Sequence, residues 1–217
     1  MNCHDNAVAA EELSAKIEST GGRALPTQAD ITDSASVVTT VQKVRAKFDR
    51  PISLLINSAG NAPQPRAFVE TGWNDVQSML DVHLRAAFNC CQAIIPGMVE
   101  QKSGRIINIG SAFTRNTPPS NWSSFLIAKA AMQALTRCLA VELGPHGIRV
   151  NMVSPGLMDN DATTGLPDRL RKVQAMQTPL RRLASPNEIA AVISALCSEA
   201  GDFVTGIEIP VCGGLQM

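Results

Sequence analysis

Proton transfer near neutral pH needs a group that titrates near 7, and histidine meets that need without large perturbation. The sequence holds three histidines. His146 lies in the turn-forming run Gly144-Pro145-His146-Gly147 and His4 lies near the start, so His83, within a helical pattern, is the candidate acid or base. Lys129 would need its pKa lowered by several units to share that work, and Ser111 would need a partner base. Tyrosine is missing altogether, so no phenol is available anywhere in the chain. Cys90 and Cys91 are adjacent, while Cys3, Cys138, Cys197 and Cys212 are isolated. That spacing points to reduced, mostly buried thiols and to no metal site.

The elements that must position these residues follow from periodicity. Helical patterns alternate with short β-branched runs, the signature of a parallel sheet covered by helices. Helices are expected over Ala7–Thr20, from a cap at Asp33 or Ser34 to Phe48, over Trp73–Glu100, over Ser123–Leu143 and over Pro186–Cys197. Strands are expected over Ala24–Ala29, Ile52–Ile56, Arg105–Ile109, Ile148–Val153 and Ile207–Val211. The fold class is α/β, a doubly wound, mostly parallel, Rossmann-like sheet, and residues 1–217 read as one domain. Lys+Arg and Asp+Glu both number 19, so no basic excess favours nucleic acid. No apolar run reaches the ~18 residues of a bilayer span, so no membrane association is expected. The polar start, without a secretory pattern, points to the cytoplasm.

Several motifs, taken in order, resemble the classical short-chain dehydrogenase/reductase family, with the 3-oxoacyl-carrier-protein reductases nearest in pattern. Ala29-Asp30-Ile31-Thr32-Asp33 resembles its acidic turn, and Asn57-Ser58-Ala59-Gly60 its Asn-Asn-Ala-Gly signature. Gly104 to Ser111 resembles the strand that ends at the catalytic serine, and Lys129 stands at the catalytic lysine. Arg149 to Gly156 resembles the stretch whose backbone nears the nicotinamide. The resemblance implies cofactor-side roles for Asp30, Asn57, Ala59, Gly60, Pro155 and Gly156, and a catalytic place for Ser111 and Lys129. It also implies a substrate pocket walled by Phe113, Trp122 and Phe125, and an oligomer, homomeric or heteromeric, built through the two long helices.

The departures fall on the chemistry. The family's tyrosine, one turn before its lysine, is Phe125 here; its helix asparagine is His83; the threonine after the Pro-Gly segment is Asn160. The family's Gly-rich strand-turn-helix, which cradles the pyrophosphate, is not found in residues 1–22, so the fold is expected without the first strand and first helix. No cofactor is therefore expected for this chain, and NAD or NADP only if that segment exists. The expected function is a non-redox acid/base enzyme (isomerase, dehydratase or cyclase) using His83, Ser111 and Lys129 on a small carbonyl-bearing molecule. A nicotinamide-dependent oxidoreductase whose N-terminal segment lies outside this chain, and a non-catalytic partner subunit, are the other readings. Without a first strand, Ala24–Ala29 is expected to move inward and pair with Ile52–Ile56, or another chain to supply a strand, because unpaired buried amides are costly.

Overall fold

The computed structural model describes residues 1–115, 117–159 and 168–215. Asn2–Cys3 (β1) leads into helix α1, Ala7–Ser19, whose first turn is capped by the Asn6 side chain accepting from the Ala9 amide at 3.0 Å. Thr27–Gln28 (β2) pairs in parallel with β1, and α2, Ser34–Phe48, starts at Asp33, whose carboxylate accepts from the Ser36 amide at 2.9 Å. The second sheet runs Leu54–Asn57 (β3), Gly104–Ile109 (β4), Ile148–Pro155 (β5) and Glu208–Val211 (β6), all parallel and in that spatial order.

Trp73–Leu80 (α3) and Ala86–Gln101 (α4) are joined through a π-helical turn at Asp81–Arg85, so the single helix expected over Trp73–Glu100 carries a bulge at His83. Ser123–Leu143 (α5) has the bounds its sequence suggests, as does Pro186–Cys197 (α7). Asp168–Gln177 forms a helix, α6, that periodicity does not single out.

Alternation along β4 builds the core. Ile106 packs with Ile94, Met98, Ala140, Leu143 and Val150 under α4 and α5, whereas Ile107 packs with Val153, Ile189 and Leu196 under α7. By length and composition α5, continued to His146, would suffice to cross a membrane, contrary to the reading from apolar runs. Here its Ala128, Met132, Thr136, Ala140 and Leu143 are buried in the fold, against β5 and α3.

The sheet is split in two, and this corrects the expectation of an inward shift. β2 stays with β1, and β3 pairs only with β4. Between them lies a cleft of 410 Å3, with Met1, Asn2 and Thr27 on one side and Leu54, Ile56 and Asn57 on the other. Leu54 and Ile56 are 38% and 42% exposed, so β3 lacks the two covered faces its apolar run suggests. Two contacts dock the two-stranded unit on the rest of the fold. α2 packs on α4, burying Val37, and Asn89 of α4 donates from Nδ2 to the carbonyls of Ile31 and Thr32 at 3.1 and 3.0 Å.

β3, β4 and α5 are tied by a chain of amides. Asn57 Nδ2 donates to Asn108 Oδ1 at 2.8 Å, Asn108 Nδ2 to Thr136 Oγ1 at 2.9 Å, and Thr136 Oγ1 to the Met132 carbonyl at 2.8 Å. Asn108 is fully buried, so deleting it takes one hydrogen-bond partner from each of Asn57 and Thr136. Asn108→Ala is expected to lower unfolding free energy by roughly 1–3 kcal/mol in urea titrations, the sum of two net hydrogen-bond losses. A change below about 0.5 kcal/mol, the level of a neutral surface substitution, would show the chain to be dispensable.

Candidate active site

The carboxyl ends of β3, β4 and β5 converge on a cavity of 320 Å3 that brings Gly60, Ser111, Pro155 and Gly156 together with His83, Lys129 and Phe125. Ser111 is buried where β4 ends and caps a short 3₁₀ turn, Ala112–Thr114. Lys129 reaches in from the second turn of α5, and its Nζ donates to the Ile109 carbonyl at 2.8 Å. That bond uses one of three N–H groups. Phe125, one turn earlier on the same face, holds its ring 5.6 Å from that nitrogen.

Aromatic rings wall the cavity edge to face, the geometry their quadrupoles favour. Phe113 meets Trp122 at 5.3 Å, Trp122 meets Phe125 at 5.9 Å, and Phe125 meets His83 at 5.4 Å between centroids. The pocket expected from Phe113, Trp122 and Phe125 is thus assembled. His83 sits on the π-helical turn, 3% exposed, at the point where the cavity adjoins the 410 Å3 cleft. Its ring lies so close over Gly60 that a Cβ there would fall 2.1 Å from Cε1. Neither ring nitrogen has a hydrogen-bond partner among the described residues.

The electrostatics reverse the roles expected of His83 and Lys129. Burial first, and the Lys129 charge second, push the imidazole down to about 3, so it is neutral but too weak a base for transfer near pH 7. Burial alone pulls the Lys129 ammonium down to about 8, the several-unit drop that seemed unavailable to it. No carboxylate lines the cavity among the described residues to hold that charge.

The cofactor-side residues are only partly gathered. Asn57 and Ala59 line the cleft, and Gly60, Pro155 and Gly156 the cavity. Asp30 is exposed and closes its own turn, accepting from the Thr32 amide and hydroxyl at 2.8 and 2.7 Å; those bonds hold its carboxyl below the usual range. Asn160 lies outside the described residues. Sequence reasoning missed Asn89 and Asn108; for Asn108 a signal existed, a lone amide inside the apolar run Ile106-Ile107-Asn108-Ile109.

A family model described as enoyl-(acyl carrier protein) reductase matches residues 2–216. The 3-oxoacyl-[acyl-carrier-protein] reductase FabG of Pseudomonas aeruginosa is 31% identical over 214 residues, covering 98% of this chain and 85% of that one. The chain belongs to the short-chain dehydrogenase/reductase family. The Thermotoga maritima FabG is 32% identical, over 94% of this chain and 82% of its own. Among solved structures, a 3-oxoacyl-[acyl-carrier protein] reductase with bound NAD from Brucella melitensis superposes with a TM-score of 0.87 at 30% identity, over 98% of this chain and 79% of that one. A gluconate 5-dehydrogenase from Burkholderia cenocepacia in complex with NADP and tartrate gives 0.91 at 25% identity, over 99% and 84%. These relatives overturn two expectations. Reductases and dehydrogenases at this similarity speak against a non-redox isomerase, dehydratase or cyclase, and the NAD and NADP in the solved neighbours speak against a chain with no cofactor.

The lowered Lys129 pKa has a thermodynamic consequence. The unfolded chain holds that proton up to the ordinary 10.5, the folded chain only to about 8, so stability rises as pH climbs between those values. Below pH 8 the buried charge costs about 3 kcal/mol. Lys129→Met removes this pH dependence, so the wild type is expected to gain on the variant by up to that amount between pH 8 and 10.5. Parallel urea curves across the range, with no convergence, would contradict it.

Proposed function

We propose that this protein is a nicotinamide-dependent short-chain oxidoreductase that acts on the carbonyl or hydroxyl carbon of a small molecule. The observation that carries the reading is the placement of Ser111 and Lys129 in one cavity at the carboxyl ends of parallel strands. That cavity adjoins the cleft at the point where the chain order reverses, between β1–β2 and β3, the place where open α/β sheets take their ligands. The residues present fit the nicotinamide end of such a cofactor. Lys129 has two unused N–H groups for ribose hydroxyls, and Pro155 and Gly156 offer backbone beside them.

Bound NADH or NADPH would supply the hydride. The chain's own groups must then place and protonate a carbonyl oxygen. Ser111 can donate its hydroxyl to that oxygen, while Phe125 supplies only an apolar wall. The proton comes from Lys129, the one cationic group on the cavity among the described residues and one whose pKa lies near neutrality. His83, neutral, orients ligand atoms through its two unpartnered nitrogens. The aromatic wall suits a carbonyl flanked by a short apolar chain, as in the 3-oxoacyl and acetoin compounds named for relatives. One domain, an oligomer joined through α4 and α5, and a cytoplasmic setting complete the reading. Phe88 on α4 and Ile127 and Val141 on α5 are exposed, and none of the six cysteines forms a disulfide.

Titration of the protein with NADH and NADPH, followed by energy transfer from tryptophan, is expected to show saturable binding of at least one. Oxidation of that nucleotide is expected with short 3-oxoacyl thioesters or with diacetyl. Lys129→Met should lower turnover by about 10²-fold or more, and Phe125→Tyr, which returns a phenol beside the ammonium, should raise it by about tenfold. Absence of both binding and oxidation across both nucleotides would overturn the reading.

A further inference from the structure

We propose that Lys129 is also a carbonyl-capturing amine, whose Nζ condenses with small apolar aldehydes and ketones inside the 320 Å3 cavity to form an imine. This goes beyond oxidoreduction and does not depend on it.

The geometry supplies what such an amine needs. Lys129 is 6% exposed, and its Nζ is anchored by one hydrogen bond to the Ile109 carbonyl. In the neutral amine that bond leaves the lone pair and one N–H free beside the open cavity. The titratable groups facing it are few: among the described residues His83 from the π-helical turn is the only other one lining the cavity, and it is uncharged near neutrality. Neither β4, β5 nor the loop after β3 contributes a carboxylate to that lining. With its pKa near 8, about a tenth of the amine is neutral at pH 7, against roughly one part in several thousand for an ordinary lysine. Desolvated lysines of this kind are the ones that serve as nucleophiles.

Phe125 completes the case. Its ring lies 5.6 Å from the Nζ, where it attracts the ammonium weakly but neither hydrogen-bonds to the neutral amine nor competes for the carbonyl oxygen. Phe113, Trp122, Leu157 and Met158 line the rest, and accept an alkyl chain. The step balances without an oxidant or reductant. The Nζ lone pair attacks the carbonyl carbon and the C=O π pair moves to oxygen, giving a carbinolamine. Its C–O bond then breaks as the C=N bond forms, and both amine hydrogens leave on the oxygen as water. The Ser111 hydroxyl, which accepts one proton as it gives up another, is the cavity group able to relay those protons from nitrogen to oxygen.

The test uses the protein alone, with no nicotinamide nucleotide, so its outcome is separate from that of the reductase reading. Full-length protein is incubated at pH 7 with butanal and cyanoborohydride, which reduces an iminium to a stable butylamine, and butylated peptides are quantified against time. Lys16, Lys43 and Lys47 are exposed and serve as internal references, so no variant has to fold. Lys129 is expected to be butylated at least tenfold faster than each of them, with the ratio falling as pH is raised toward 10 and the reference amines deprotonate. Labelling of Lys129 no faster than the references at pH 7, in protein that keeps its native circular dichroism, would overturn the proposal.

Discussion

The active geometry depends on one buried side chain, Asn108, and the two hydrogen bonds it makes in opposite directions. Its Oδ1 accepts from Asn57 across the β3–β4 pair, and its Nδ2 donates to Thr136 on α5. Thr136 and Lys129 lie two turns apart on α5, on one face, and Asn108 and Ile109 are adjacent on β4. The amide that fixes the helix to the strand at Thr136 therefore also fixes the distance at which Lys129 meets the Ile109 carbonyl. Asn57, held by the same amide, sets the end of β3 and so the loop through Gly60 that His83 covers. A polar group in a fully buried strand is costly unless satisfied. Here it is satisfied on both sides, and in return three elements are held in register.

What the site can do follows from what surrounds the lysine. Phe125 and Trp122 make the cavity apolar, and no lining carboxylate offsets that, so the ammonium is destabilised and the amine becomes available near neutral pH. The imidazole of His83, under the same burial and facing the same charge, is driven the other way from usefulness as a base and remains a neutral donor and acceptor. One apolar environment thus leaves the amine, and not the imidazole, able to change charge near neutral pH.

Much of the architecture was legible in local chemistry. Asp33 caps α2, Ser185 and Glu188 cap α7 reciprocally, and the apolar alternation of β4 reads directly onto two covered faces. The gathering of Phe113, Trp122 and Phe125 at one cavity also matches the motif pattern. The split sheet does not, because it rests on a single long-range clamp from Asn89 and on helix docking that no periodicity reveals. Roles of titratable groups were the least legible. An ordinary histidine titrates near 7 and an ordinary lysine far above, and only burial in a shared cavity inverts their usefulness. The inference from Phe125 and His83 to a non-redox enzyme failed for a related reason: it weighed two substituted side chains, with the missing glycines, over the order of motifs that the relatives share.

The account turns on the Lys129 amine, and its ionisation can be followed directly. Lysine labelled with ¹³C at Cε gives one side-chain resonance per lysine, and Lys129→Arg assigns the one that matters. A titration midpoint near 8 for Lys129 is expected, with the resonance insensitive to pH between 5 and 7. A midpoint near the ordinary 10.5 would contradict the account, because the amine would then be too tightly protonated to give up a proton or a lone pair near neutral pH.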